Sequence, residues 1–260
     1  MKLKDKVAII TGGAKGIGQG CVRVFTKHGC AVMIADRDEK GGPAAAKEVN
    51  DAGGRAVFQR CDVTREEDIR SVIEETVRQH GRLDCIVNNA GWHPPAMTIE
   101  QTSAADFEAQ LRLNLTSTFL GCKYALPHLR KTKGTIVVMS SATGLLGQTQ
   151  AASYAASKAG QVGLVRALAL DLAKEGVRIN AVCPSCVMTP LMREWANTLK
   201  DPEEALRMIE HYQPIGRMAS IEEIGEVCAF LASAEASFIT GQSILADGAA
   251  SLGYGDKYGS

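Results

Sequence analysis

Three absences bound this chain of 260 residues before any motif is read. No sign of charge is in excess: Lys plus Arg and Asp plus Glu are 29 each, so no broad basic field exists to attract nucleic acid or an anionic membrane surface. No long apolar run occurs near the start either, where MKLKDKVAII holds only the short stretch VAII before TGG. That is far from a secretory core or the roughly 20 residues that cross a bilayer. A cytoplasmic protein with no nucleic-acid and no membrane partner is therefore expected. The third absence is a second CxxC. The eight cysteines (Cys21, Cys30, Cys61, Cys85, Cys122, Cys183, Cys186, Cys228) are scattered among apolar neighbours, and CPSC at 183–186 has no His nearby. Reduced, buried thiols and no metal site are the expectation.

What is present is an alternation of two periodicities. KVAIIT, AVMIAD, AVFQRCD, LDCIVNNAG, GTIVVMSS, VRINAVCP and SILADG read as seven buried strands, because near-continuous apolarity marks strands covered on both faces. Amphipathic stretches such as GQGCVRVFTKHG and GPAAAKEVNDAGG lie between them. REEDIRSVIEETVRQHG is predicted to open after Thr64, with Glu67 in capping-box spacing, and to close at Gly81. With no linker, repeat or low-complexity segment, and 45% apolar composition, the pattern predicts one α/β domain over 1–260. Its sheet is doubly wound, parallel and seven-stranded, with helices on both faces and right-handed crossovers. Residues 187–217 break the rhythm, carrying Trp195 between flanking prolines, and are expected to form a mobile lid.

TGGAKGIG at 11–18 follows the first strand and opens the first helix. Gly12 permits a tight turn, Gly16 lets backbone amides approach a pyrophosphate, and Gly18 allows close packing at a helix N-terminus of positive potential. Asp36 ends the second strand 18 residues beyond Gly18, where a carboxylate would bond the ribose 2′-hydroxyl and repel a 2′-phosphate. That favours NAD over NADP, although Lys15 and Arg37 could neutralise a phosphate. Asp62 and NNAG at 88–91 end the third and fourth strands, on the crevice side of a doubly wound sheet.

SYAASKAG raises a different question, because Tyr154 and Lys158 are four residues apart and would share a helix face. A free phenol titrates near ~10, so use near neutrality needs a shift of ~3 units, or ~4 kcal/mol. An adjacent ammonium and the positive nicotinamide ring could supply it in a water-poor cleft. Ser141 ends the fifth strand, where its hydroxyl could hold a substrate oxygen beside the phenol. Asn114 lies on the preceding helix, where an amide could interrupt the hydrogen-bond ladder and hold a water near Lys158.

TGGAKGIG, NNAG, Asn114, Ser141 thirteen residues before Tyr154, and YAASK together resemble the short-chain dehydrogenase/reductase family over essentially the whole chain. The resemblance implies a single-domain Rossmann fold and a catalytic tetrad on Asn114, Ser141, Tyr154 and Lys158. It implies a nicotinamide cofactor held by Gly12, Lys15, Gly16, Ile17, Gly18, Asp36, Arg37, Asp62, Val63, Asn89, Ala90, Gly91, Tyr154, Lys158, Pro184, Val187 and Thr189. It also implies a homotetramer. One departure stands out: the family's Pro-Gly pair after the sixth strand is Pro184-Ser185 here, which restricts the backbone and adds a hydroxyl expected to face the pocket. His93, Ser141, Gln148, Ser185 and Trp195 are the expected substrate contacts. Their polarity suits a sugar or polyol, with a hydroxysteroid second because Met188, Leu191 and Trp195 are apolar. The expected reaction is hydride transfer between a secondary alcohol and NAD. The alternative is NADPH-dependent reduction of a carbonyl or 3-oxoacyl thioester. Tyr254, between two glycines near the end of the chain, is expected either to reach a neighbouring subunit or to fray.

Overall fold

A computed structural model describes Met1–Leu252, so the expectation for Tyr254 lies outside the described residues. Seven strands form one sheet: β1 Val7–Thr11, β2 Ala31–Asp36, β3 Arg55–Arg60, β4 Cys85–Asn88, β5 Thr135–Met139, β6 Arg178–Pro184 and β7 Ser243–Ala246. Their order is β3-β2-β1-β4-β5-β6-β7 and every pairing is parallel. Chain order reverses between β1 and β4, which opens a crevice at the carboxyl ends of those two strands. The helices are α1 Gly16–Lys27, α2 Gly41–Asp51, α3 Glu66–His80, α4 Ala104–Leu111, α5 Ser117–Thr132, α6 Ala152–Leu172, α7 Pro190–Ala196, α8 Pro202–His211 and α9 Ile221–Ala232.

The period-2 alternation of the strands divides the interior in two. Ala8 and Ile10 of β1 join Val22 and Phe25 of α1 and Ile224 and Cys228 of α9 in one core. Ile9 joins Ile69 and Ile73 of α3, Leu120 and Leu129 of α5 and Val165 of α6 in the other. Each large side chain so buried contributes about 1.5–3 kcal/mol, and the two cores fix the rigid frame behind the crevice.

Two expectations change. Only β1, β2, β4, β5 and β6 are buried along most of their length. β3 and β7 are sheet edges and are half covered, because no further strand flanks them. Thr64 does not cap α3: its hydroxyl donates to Asp62 Oδ1 at 2.7 Å, and Arg65 holds the cap position without a side-chain bond. Gly81 does close α3, in the left-handed conformation at φ 73°. All eight cysteines are free thiols, and burial pushes those of Cys30, Cys61 and Cys122 up to about 12. No described helix is long and apolar enough to cross a membrane.

Candidate active site

The crevice is built from the carboxyl ends of the strands. Its glycine loop is tied to the neighbouring strand end: Asn89 Nδ2 donates to the carbonyls of Thr11 (2.8 Å) and Gly12 (3.2 Å), and the backbone N–H groups of Asn89 and Ala90 donate to Thr11 Oγ1. Gly18 has to be glycine here, since a Cβ would lie 2.0 Å from the Gly12 carbonyl oxygen and 2.6 Å from Asn89 Nδ2. Asp36 closes the loop from the other side, accepting from Ala14 N and Asp38 N at 3.0 Å each. Lys15 and Arg37 are exposed beside it, Ile17 packs onto the core, and Val63 is buried next to Asp62. The side-chain and backbone bonds from Thr64 hold the Asp62 carboxyl below its ordinary range.

These residues fit a dinucleotide. The N-terminus of α1 has no side-chain cap and no acidic residue in its first turn, so its free N–H groups and positive end are available to phosphate oxygens. Thr189, expected at the nicotinamide, comes to within 3.8 Å of where a Gly16 Cβ would sit, and so faces the glycine loop across the crevice. Val187 bridges to Ala219, Pro184 lies in β6, and Gly91 lies beside Asn114 and Lys158.

Beyond the loop, α6 brings Tyr154 and Lys158 to one face as expected, but the two heads do not touch. Lys158 Nζ is 5.7 Å from the Tyr154 ring centroid and donates to Met139 O at 2.7 Å. Burial drives the Lys158 ammonium down to about 8. Burial also raises the Tyr154 phenol above its ordinary value, against the opposing hydrogen bond from Ser141, with Cys183 pushing slightly the same way. Poising of the phenol by the lysine alone is therefore not what the protein without cofactor shows, because desolvation outweighs a charge at this distance. Ser141 lies two residues beyond β5, where its hydroxyl accepts from Thr143 N at 3.2 Å and stands near the phenol. Asn114 lies in a π-helical turn, Arg112–Thr116, between α4 and α5, and is completely buried.

The expected substrate contacts separate into two groups. His93 stacks on Tyr154 with ring centroids 4.3 Å apart. The Pro94 carbonyl can only accept, so His93 Nδ1 donates to it at 2.7 Å, and Nε2 of the neutral ring accepts from Gln148 Nε2 at 2.9 Å. Gln148 Oε1 in turn accepts from Thr143 Oγ1 at 2.9 Å. The two residues thus satisfy each other and roof the phenol, rather than standing free as separate donors. Ser185 and Trp195 make no hydrogen bond to that group among the described residues. The Ser185 hydroxyl is 3.9 Å from Cys186 Sγ, and Trp195 is 42% exposed on α7. Three residues not singled out in the sequence complete the site, although Ser157 lies within YAASK. Ser157 links Asn114 Nδ2 to the Tyr154 carbonyl, Thr143 orients Gln148, and Gln161 holds the Asn114 carbonyl. Ser157 and Gln161 share the helical spacing of Tyr154 and Lys158, which is the only further signal of them that the sequence holds.

A parallel sheet with a chain reversal, a free helix N-terminus at a glycine loop and a Ser-Tyr-Lys group across the crevice define a nicotinamide-dependent oxidoreductase of the Rossmann type. The family profile described as "Enoyl-(Acyl carrier protein) reductase" matches residues 12–251. L-fucose dehydrogenase of Bos taurus is 48% identical over 254 residues, covering 98% of this chain and 92% of the relative. Meso-2,3-butanediol dehydrogenase of Serratia marcescens is 38% identical over 255 residues, 98% of both chains. The crystal structure of levodione reductase superimposes with a TM-score of 0.93 at 30% identity, covering 97% of this chain and 100% of that one. The chain belongs to the short-chain dehydrogenase/reductase family and is an alcohol dehydrogenase in type.

Proposed function

We propose that the protein oxidises a sugar of the aldose class, with NAD as hydride acceptor, and that Asn114, Ser141, Tyr154 and Lys158 serve the reaction. The observation that carries the chemistry is the partly buried Tyr154 phenol under the His93 ring, with the Ser141 hydroxyl near enough to oppose the rise in its pKa. Such a pair can hold a carbinol oxygen at two points while the phenol oxygen takes its proton. Bound NAD supplies the hydride acceptor and a positive ring that favours the phenolate. The tetrad, the glycine loop and the residues from Asp36 to Thr189 described above are the proposed contacts. Ser141 orients the alcohol, Lys158 holds the ribose, and Asn114 fixes the loop at Trp92.

Two further observations support the finer reading. Asp36 presents a carboxylate at the adenosine end of the crevice, which disfavours a 2′-phosphate. The 48% likeness to an L-fucose dehydrogenase supports a sugar over a hydroxysteroid. We place the protein in the cytoplasm as a homotetramer, with Phe107, Phe119 and Leu170 exposed on α4, α5 and α6 as surfaces for subunit contact. Residues 187–217 act as the lid over the substrate.

The test is absorbance of the reduced nicotinamide with NAD or NADP, using L-fucose, other aldoses and a hydroxysteroid. Turnover of an aldose with NAD at higher kcat/KM is the expected outcome. Turnover confined to the steroid removes the substrate assignment. Tighter binding of NADP, with reduction of a 3-oxoacyl thioester, replaces the whole reading by its reductase alternative. Light scattering checks the tetramer.

A further inference from the structure

The chain leaving β5 meets α6 through three consecutive residues. Met139 ends the strand, and its carbonyl accepts from Lys158 Nζ at 2.7 Å. Ser141 stands near the Tyr154 phenol. Between them Ser140 is buried, and its hydroxyl donates to the Lys158 carbonyl at 3.0 Å across 18 residues of chain. Its backbone N–H donates to the Val182 carbonyl of β6 at 2.8 Å, so one residue ties β5, β6 and α6 together. A carbonyl in mid-helix already accepts the N–H four residues on, so the bond from Ser140 takes its second lone pair. The carbonyl does not need that bond to be satisfied; what the bond adds is position.

A fourth segment closes over this joint. After Ser141 the chain makes one 3₁₀ turn, Ala142–Gly144. A Cβ on Gly144 would lie 2.8 Å from Ser140 Oγ and 2.9 Å from the carbonyl carbon and oxygen of Lys158. Any side chain there would push the turn off α6 or break the Ser140–Lys158 bond. The same turn carries Thr143, which holds Gln148 and through it the His93 ring over Tyr154. The acceptor for the Lys158 ammonium, the hydroxyl beside the phenol and the roof above it thus all lie within four residues of one buried hydrogen bond.

Resting on the dehydrogenase reading of the site, we propose that Ser140 is a positioning residue of the reaction: its bond to the Lys158 carbonyl, sealed by Gly144, fixes α6 against the end of β5 and so sets Tyr154 against Ser141. Ser140 touches neither substrate nor cofactor, and no covalent bond to it forms or breaks. A misplacement of about 1 Å at a reacting group costs up to about 10²-fold in rate, which is how a bond outside the crevice governs turnover.

Three variants test the joint. Ser140→Ala removes the bond, Gly144→Ala keeps the hydroxyl but wedges it off its acceptor, and Leu129→Ala loosens the core elsewhere. The measurements, made with NAD and an alcohol that the wild type oxidises, are kcat against pH and melting temperature. Ser140→Ala and Gly144→Ala are each expected to lose about tenfold in kcat. Each should also move the acid-side midpoint of kcat upward, because a phenol displaced from Ser141 loses the contact that opposes its rise. His93, Lys158 and Cys183 also face the phenol, and none of them is replaced. The double variant should lose far less than the product of the two single losses, since both act on one bond. Leu129→Ala should lower the melting temperature and keep the wild-type midpoint. The proposal is overturned if Ser140→Ala, folded, keeps the wild-type kcat and midpoint, if Leu129→Ala moves the midpoint as Ser140→Ala does, or if the two single losses multiply in the double variant. Should Ser140→Ala fail to fold, Gly144→Ala decides by its kcat and midpoint. Failure of the underlying reading looks different: Tyr154→Phe would then turn over as fast as wild type.

Discussion

The two ends of the crevice are built by different means. At the glycine-loop end, Asn89, Thr11 and Asp36 reach across long sequence separations to tie backbone to backbone, and the loop rests on the two large cores. At the lid end, α7 and α8 enclose only Ala196, Leu206 and Met218, with Cys186, Met188, Met192 and Ile209 packed around them. The segment proposed as a lid is tied down by the Val187–Ala219 bridge and by a hydrogen bond from Ile215 N to Gly248 O at 3.2 Å. A small, methionine-rich cluster is easily repacked, whereas a bonded loop over a large core is not. The difference teaches that the glycine-loop end is set in advance, whereas residues 187–217 can deform at little cost, as the lid proposed for them requires.

The sharpest way to break that contrast is to remove the phenol. Tyr154→Phe should lower kcat by about 10²–10⁴ with NAD affinity nearly unchanged, as steady-state kinetics and cofactor titration will show. Core truncations come next. Leu129→Ala, in the frame, should cost about 2–5 kcal/mol in global unfolding. Leu206→Ala, equally buried but in the lid, should leave most of the cooperative transition intact and raise protease sensitivity near α8. A comparable global loss from both would erase the distinction.

The pH dependence of stability probes the boundary between the two ends. Lys158 has a folded pKa lowered to about 8 by burial, below its unfolded value near ~10.4, so the folded state binds fewer protons in that window. Stability attributable to this group therefore rises as pH climbs from about 8 to about 10.4, by up to ~3 kcal/mol. The difference between wild type and Lys158→Met in chemical denaturation should show that slope. Below about pH 8 the variant, which lacks a buried charge, should be the more stable of the two. Smaller again is Asp36→Ser: loss of a charged acceptor is worth about 1.5–3 kcal/mol, read as weaker NAD binding and a narrowed preference over NADP. Least affected should be stability in Trp195→Ala, within about 0.5 kcal/mol, while KM changes differ between substrates.

Much of the frame was legible because its signals are local. Near-continuous β-branched runs, the glycine trio, Asp36 at a strand end and the four-residue spacing of Tyr154 and Lys158 each follow from one element's own period. Thr64 misled because α3 opens one residue later than its spacing implies, with Arg65 at the cap position and the Thr64 hydroxyl turned to Asp62. His93 and Gln148, 55 residues apart, read as two free hydrogen-bonding groups, and only their packing over Tyr154 shows that each satisfies the other. Gln161 carries no signal of its own in the sequence, and only the fold shows its amide bonded to the Asn114 carbonyl.

Backbone periodicity and side-chain type, by themselves, determined the order of elements, the parallel sheet, the nucleotide crevice and the pairing of phenol and ammonium on one helix, since these depend on neighbours along the chain. Only the tertiary structure decided which polar groups remain free to act. Burial and long-range hydrogen bonding set that, and they kept the ammonium off the phenol, filled every place on Asn114 and left Gln161 Oε1 without a partner among the described residues.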